Sequence, residues 1–326
     1  MLFRSTVATY AGTMLLLFLT VERLGSTSLA ALVTTLALLV HPYSVYPWGD
    51  YFAGCALMAS CYLLLQRDRG IAPAVWAGVL LFFAFLFRNT YLVNLGVAAA
   101  VYVLASLEFP RIRDRGLFIA VIAFALLSAG YFGMLTLQGK FDPWYVQNFG
   151  AATTAYGVNA SNAGLALIYR ILYPEIFATG VFSGLLVVAV YAAFSAVFSR
   201  QPDERAPYVF FVSVLGATGF AQAAMIYEVF RLQNSCAPLF VAVGCVIASS
   251  ERVGALQLAK AMRWAVGITT IVLLLRVPSV LGGQTFSSWQ PILASPVFGK
   301  WGAYERATES SILANHSYQP DRKSTR

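Results

Sequence analysis

"YPWGDYFAGCALMASCYLLLQRDRG", residues 46–70, holds the pattern that settles the fold class. From Tyr51 to Gln66 the chain carries no charge, and the run closes on Arg67, Asp68 and Arg69. An uncharged run of helix length with cations at one end reads as a membrane-crossing helix with a topology signal attached. The stretch in front, "HPYSVYPWGDYFAG" at 41–54, contains two prolines, several aromatic rings, His41 and a single acid, Asp50. Polarity is therefore concentrated at a turn, and Asp50 opens the helix that follows it.

The rest of the chain has the same character. Of 326 residues, 59% are hydrophobic and 11% charged, against roughly 25% charged in soluble domains. So few polar residues cannot cover a water-soluble surface, and the expected class is an all-α, polytopic transmembrane bundle. The net charge of +8 does not point to nucleic acid. The basic residues sit in short clusters between apolar runs, as topology signals do, and no nucleic-acid-binding motif accompanies them. Cys55, Cys61, Cys236 and Cys245 fall inside or beside apolar runs with no C-x-x-C spacing, so they read as small core residues. His41 and His316 are the two histidines, which excludes a histidine-rich metal site. The N-terminus is not a clean signal peptide, because "TVERLGSTSLA" leads straight into a second apolar run.

About ten apolar helical segments are expected, near 6–21, 27–41, 50–66, 72–87, 90–107, 116–136, 177–198, 208–227, 235–250 and 262–280. The pair 72–87 and 90–107 is also compatible with one broken span. Gly180 and Gly184 form a GxxxG, read as helix packing. Residues 1–280 are expected to form one transmembrane domain. Within it, 137–162 is a polar and aromatic loop, and "LALIYRILYPEIF" with Arg170 suits a helix lying in the interface, so loop and helix together cover about 137–175. Residues 281–326 lose hydrophobicity, end in "SYQPDRKSTR" and read as a partly disordered external tail.

Orientation follows from Lys and Arg. With Met1 outside, the inner side holds eleven: Arg23, Arg67, Arg69, Arg111, Arg113, Arg115, Arg200, Arg205, Arg252, Lys260 and Arg263. The outer side holds Arg4, Arg88, Lys140, Arg170 and Arg231, and Arg276 makes six at most. Residues 41–50, the 137–175 region and the turn at 228–234 then share the outer face. A plasma or inner membrane with an external or periplasmic active face is expected. An external N-terminus without a signal peptide is the arrangement expected of a chain that has lost a preceding span.

Ionisable groups inside spans are costly and usually functional. Here the span middles are nearly free of them, with Asn94 and Gln222 as the main polar exceptions. Asp50, Arg88, Lys140, Asp142, Glu228 and Arg231 gather at the outer ends. A coupled transporter places polar groups near the midplane, whereas an enzyme acting at an interface places them at one end. Each residue also has a plain structural reading. Asp50 is first an N-cap, and otherwise an acceptor for sugar hydroxyls or a metal. Arg88 either snorkels to headgroups or binds phosphate. Glu228 and Arg231 lie three apart and can simply pair. Asp142 before Pro143 suits a turn. The aromatics of "WYVQNFG" are interface anchors by default, and their flat faces also suit the apolar side of a sugar ring.

These motifs resemble a family. "YPWGDYFAGCALMASCYLLLQRDRG" followed by "AGVLLFFAFLFRNTYLVNLGVAA" looks like the central part of the GT-C membrane glycosyltransferases, and "FRLQNSCAPLFVAVG" at 230–244 is similar to their segment in which a basic residue precedes a proline-bearing span. Protein O-mannosyltransferases and lipid A aminosugar transferases are of this kind. The resemblance covers about residues 10–250 and rests on pattern. It implies a polyprenyl-phosphate sugar as donor, with an envelope lipid, glycan or protein as acceptor and membrane lipids as surroundings. It also implies an acidic residue acting as base or holding a divalent metal, and basic residues that neutralise the departing lipid phosphate. By position, Arg88 and Arg231 match the phosphate-binding role. Asp50 and Asp142 are the acids at hand for catalysis, and Trp144, Tyr145, Asn148 and Glu228 are candidates for substrate contact. The family's first span and first external loop, which carries its catalytic acid, have no counterpart here and would lie before residue 1. A truncated and then inactive transferase is therefore one form of this expectation. An envelope polysaccharide polymerase or ligase and a non-enzymatic transporter or flippase are the rival expectations.

Overall fold

The structure is a computed structural model, and it describes residues 2–40, 49–66, 70–150, 177–199, 203–225 and 233–281. It is all-α. The helices are α1 (Leu2–Leu24), α2 (Thr27–Val40), α3 (Gly49–Leu64), α4 (Ile71–Phe87), α5 (Tyr91–Glu108), α6 (Arg115–Leu137), α7 (Phe141–Tyr145), α8 (Phe177–Phe198), α9 (Ala206–Met225), α10 (Ala237–Arg252) and α11 (Leu256–Leu281). A 3₁₀ turn at Pro110–Ile112 joins α5 to α6, and a π-helical turn at Val146–Gly150 follows α7. The expected interfacial helix and the tail after Leu281 lie outside the described residues, as does the turn at 41–48.

Each of the ten apolar segments coincides with a helix, because an uncharged run in an apolar medium satisfies its backbone only by hydrogen bonding within itself. Among the described residues, six helices are long and apolar enough to cross a bilayer: Ser5–Leu24, Tyr91–Glu108, Arg115–Leu137, Gly180–Phe198, Ala206–Ala223 and Leu256–Leu275. The chain is a multi-pass helical membrane protein. The expectation of ten full crossings is too simple, since α2, α3, α4 and α10 have 14 to 17 residues. At 1.5 Å per residue they reach about 21–26 Å, short of a hydrocarbon core of about 30 Å. For α10 the shortfall has a visible reason. Its residues from Ala237 to Ala248 are buried throughout, and α1, α2, α3, α8, α9 and α11 all touch it. A helix that is apolar all round belongs inside a bundle, where protein rather than lipid sets its length. Outer helices show the opposite: Leu126 of α6 and Leu275 of α11 present bare apolar surface of the kind lipid covers.

The two helices of the broken-pair expectation touch, but each packs mainly on different neighbours. α4 packs on α3 and α6, whereas α5 packs on α9. Glycine placement also departs from expectation. A Cβ added at Gly184 would meet nothing, so the GxxxG of α8 is not a packing seam at that residue. One tight approach lies at Gly78 of α4, where a Cβ would strike the carbonyl of Ala120 and the Ala123 side chain of α6.

The helices alternate in direction, which gives the bundle two polar ends. At one end Arg205 donates to the Leu24 carbonyl at 2.9 Å, joining the start of α9 to the end of α1. Tyr208 donates to the Cys61 carbonyl near the end of α3 at 3.2 Å. Arg23, Arg111, Arg113, Arg115, Arg205 and Arg252 all stand at helix ends on this side. At the other end the finish of α2 meets the approach to α10 through Gln233, whose amide donates to the Ala37 carbonyl at 2.7 Å.

Overpacking of a closed seam costs about 1–3 kcal/mol. Gly78→Ala is expected to lower thermal stability in detergent by that order, while Gly184→Ala leaves it unchanged. Equal melting temperatures for the two variants would place the seam elsewhere.

Candidate functional site at the Asp50 end

The start of α3 and the end of α4 are pressed together, because a Cβ at Gly49 would collide with the Phe87 carbonyl. Glycine is what permits the approach. It sets Asp50, in the first turn of α3, against Arg88, which caps α4 in an extended conformation. Arg88 Nε lies 3.4 Å from Asp50 Oδ1. The Asp50 side chain is 2% exposed and that of Arg88 25%, so the carboxylate is buried while its partner reaches the edge of the bundle. Sequence reading offers Asp50 as an N-cap. The helix begins at Gly49, so Asp50 is a first-turn acid, favoured there by the helix dipole and facing a cation from the next helix. Arg88 likewise is not a bare snorkelling side chain but half of an ion pair.

Around this pair lies a layer of buried polar groups. Tyr91 opens α5 and shares a hydrogen bond of 3.1 Å with Ser235, and its hydroxyl feels the charges of both Asp50 and Arg88. Asn234 packs against Gly54, one turn into α3. Gln233 also donates to the Tyr10 hydroxyl at 3.2 Å, and the Tyr10 ring meets Tyr51 edge-on at 6.0 Å. Gln233, Asn234 and Ser235 are each buried. Sequence reading missed all three as site residues. The visible signal was the succession of three polar residues leading into the proline-bearing apolar run at 235–250.

Asn94 and Gln222, the two polar exceptions inside spans, both belong to this end. Asn94 closes the first turn of α5 and Gln222 opens the last turn of α9. A Cβ at Gly219 of α9 would lie 3.5 Å from Asn94 Nδ2. Thr90 Oγ1, Asn94 Oδ1 and Gln222 Oε1 are buried and have no hydrogen-bond partner among the described residues. Buried polar atoms are normally satisfied, so these three oxygens are acceptors that the described residues leave without a donor.

α7 and the turn after it are tied to this layer. Asn89, next to Arg88, donates to Asn148 Oδ1, and Asn148 Nδ2 donates to the Trp144 carbonyl at 2.8 Å. The Trp144 ring is committed to packing: Phe132 at 5.0 Å, Tyr131 at 6.3 Å and Phe85 at 6.4 Å meet it edge-on, and Phe141 stacks on it at 6.2 Å. Tyr145 is 52% exposed and stacks on Phe141 at 6.4 Å, so of the two rings it presents the freer face. Asp142 is exposed in the first turn of α7. Glu228 and Arg231 lie outside the described residues. Among the described residues, no three His, Cys, Asp or Glu side chains gather to hold a metal ion.

The class these features define is a multi-pass helical membrane protein with a buried acid–base pair in a polar layer at one end. Beyond that class, no protein-family model, no curated protein and no solved structure matches the chain.

An ion pair with one member out of water couples more strongly than a surface pair, whose worth is about 0–1 kcal/mol. A thermal-unfolding double-mutant cycle on Asp50→Asn and Arg88→Gln is expected to give a coupling above about 1 kcal/mol. Strict additivity of the two changes would reduce the pair to proximity without energetic consequence.

Proposed function

We propose that the chain is a GT-C-type membrane glycosyltransferase that moves a sugar from a polyprenyl-phosphate donor to a cell-envelope lipid, glycan or protein acceptor. The observation that carries this reading is the buried Asp50 carboxylate set against Arg88 at one end of an apolar bundle. A guanidinium has five N–H donors, so pairing with one carboxylate oxygen leaves others for phosphate oxygens. In the proposed reaction the acceptor hydroxyl attacks the anomeric carbon and its proton passes to Asp50. The bond from the anomeric carbon to the donor phosphate breaks, and its electron pair stays on the phosphate. Arg88 offsets the charge that develops there. Asp50 takes the role of base in preference to Asp142 because it is buried beside Arg88, whereas Asp142 is exposed. Thr90, Asn94 and Gln222 carry acceptors suited to sugar hydroxyls, and the exposed Tyr145 ring offers a face to a sugar ring.

The clustering of arginines at the opposite end supports an orientation in which the Asp50 end faces the exterior or periplasm of a plasma or inner membrane. Asn94 and Gln222 favour an enzyme over a transporter, because both lie at the Asp50 end and not at the midplane.

Two experiments test this. In a cysteine-free background, Lys140→Cys is expected to react with an impermeant thiol reagent in intact cells and Arg115→Cys only after lysis; the reverse pattern would turn the site inward. Donor binding comes second. Arg88→Ala is expected to weaken polyprenyl-phosphate-sugar affinity roughly ten- to hundredfold, the equivalent of one charge-assisted hydrogen bond, with Lys rescuing in part because it lacks the fork. Asp50→Asn is expected to bind donor and abolish transfer. Wild-type binding by Arg88→Ala together with full transfer by Asp50→Asn would overturn the proposal.

A further inference from the structure

The opposite end of the bundle holds a cavity that the proposed reaction does not use. It has a volume of about 200 Å³ and lies where the end of α8, the start of α9 and the end of α10 converge, with Arg111 of the 3₁₀ turn forming part of its wall. Ser195, Ser199, Ser249 and Ser250 line it with hydroxyls. Arg111 Nε is buried without a hydrogen-bond partner among the described residues. The acid in the wall, Asp203, is already met: Ser249 Oγ donates to it at 3.1 Å, the Arg205 amide donates to it at 2.9 Å, and Arg252 lies 3.6 Å away. Arg252 thus offsets Asp203, and the charge left over is that of Arg111.

We propose that this cavity binds the phosphate of an anionic membrane lipid, with Arg111 as its cation and Ser195 and Ser250 as hydroxyl donors. Depth supports a lipid source. Ser199, Asp203, Val253 and Ala255 place the mouth of the cavity among helix ends and connections, while Tyr191 and Cys245 line its inner part about two turns further in, and the ends of membrane helices lie at headgroup level. The rim supports it too, since Tyr191, Val253 and Leu258 border the cavity and expose their side chains, an apolar margin on which acyl chains can rest. Basic recesses between membrane helices are a physically reasonable means of holding such headgroups. The site is independent of the Asp50 chemistry and stands or falls separately from it.

The test uses the purified full chain in neutral detergent, with phosphatidylglycerol, phosphatidylcholine and inorganic phosphate as probes. Retained lipid is read by native mass spectrometry and stabilisation by thermal unfolding. Phosphatidylglycerol is expected to bind saturably and raise the melting temperature, with phosphatidylcholine weaker by about tenfold or more. Arg111→Gln is expected to lose about tenfold in phosphatidylglycerol affinity, the order of one charge-assisted contact, and Arg111→Lys to retain most of it. Ser195→Asp, which adds a carboxylate to the wall and leaves Arg111 in place, is expected to abolish binding; a lipid-free melting temperature near wild type for either Arg111 variant confirms that the fold is kept. Stabilisation by inorganic phosphate as strong as by phosphatidylglycerol would overturn the lipid source. Unchanged phosphatidylglycerol binding in both Arg111→Gln and Ser195→Asp would overturn the site.

Discussion

Burial of the Asp50 carboxylate within an apolar bundle is the constraint on which one whole end of this protein depends. Taking such a group out of water costs several kcal/mol unless a cation and hydrogen bonds meet it. Arg88 meets it, and can do so only because Gly49 lets α3 approach the last carbonyls of α4. The same juxtaposition seats Tyr91 at the head of α5, where Ser235 holds it from the approach to α10. Four helices are thereby fixed to one another by polar contacts at a single level.

Below that level the packing is apolar and organised around α10. Its burial on all sides makes it the axis of the bundle, and residues 233–236 at its head carry the polar groups into the centre of the Asp50 end. A central helix is the efficient place for them. Amides and hydroxyls there reach α2, α3 and α5 at once, as the contacts of Gln233, Asn234 and Ser235 do. The two ends of the bundle differ in kind. One buries an acid with amides and tyrosines, and the other spreads arginines over helix termini and connections. That contrast underlies both proposals: transfer chemistry at the end with the buried carboxylate, and anionic-lipid binding at the end with the excess of cations.

α7 adds a third feature. Its aromatic residues form a continuous cluster with Phe85 of α4 and with Tyr131 and Phe132 of α6, while Asn148 hydrogen-bonds Asn89 beside Arg88. The short helix is therefore held down on the bundle and does not swing free as a loop. Trp144 serves that anchoring, which leaves Tyr145 and Phe141 as the more available ring faces.

The sequence by itself determined the class of fold and the position of each long helix. Both depend on local properties: an uncharged run in lipid must close its own backbone hydrogen bonds, and charges must fall at the ends of such runs. Asp50 and Arg88 were legible as candidates for the same reason, being isolated charges at the margins of apolar runs. Only the tertiary structure decided that they form a pair, that Asn94 and Gln222 belong to their end, that Gln233, Asn234 and Ser235 are buried with them, and that Gly78 rather than Gly184 is a packing glycine. None of this has a local signature, because each contact joins helices distant in sequence, and the face a residue turns inward depends on which neighbours surround its helix. Helix length shows the same division: hydropathy marks α10 as one apolar run among ten, and only its enclosure by six other helices explains why it is short.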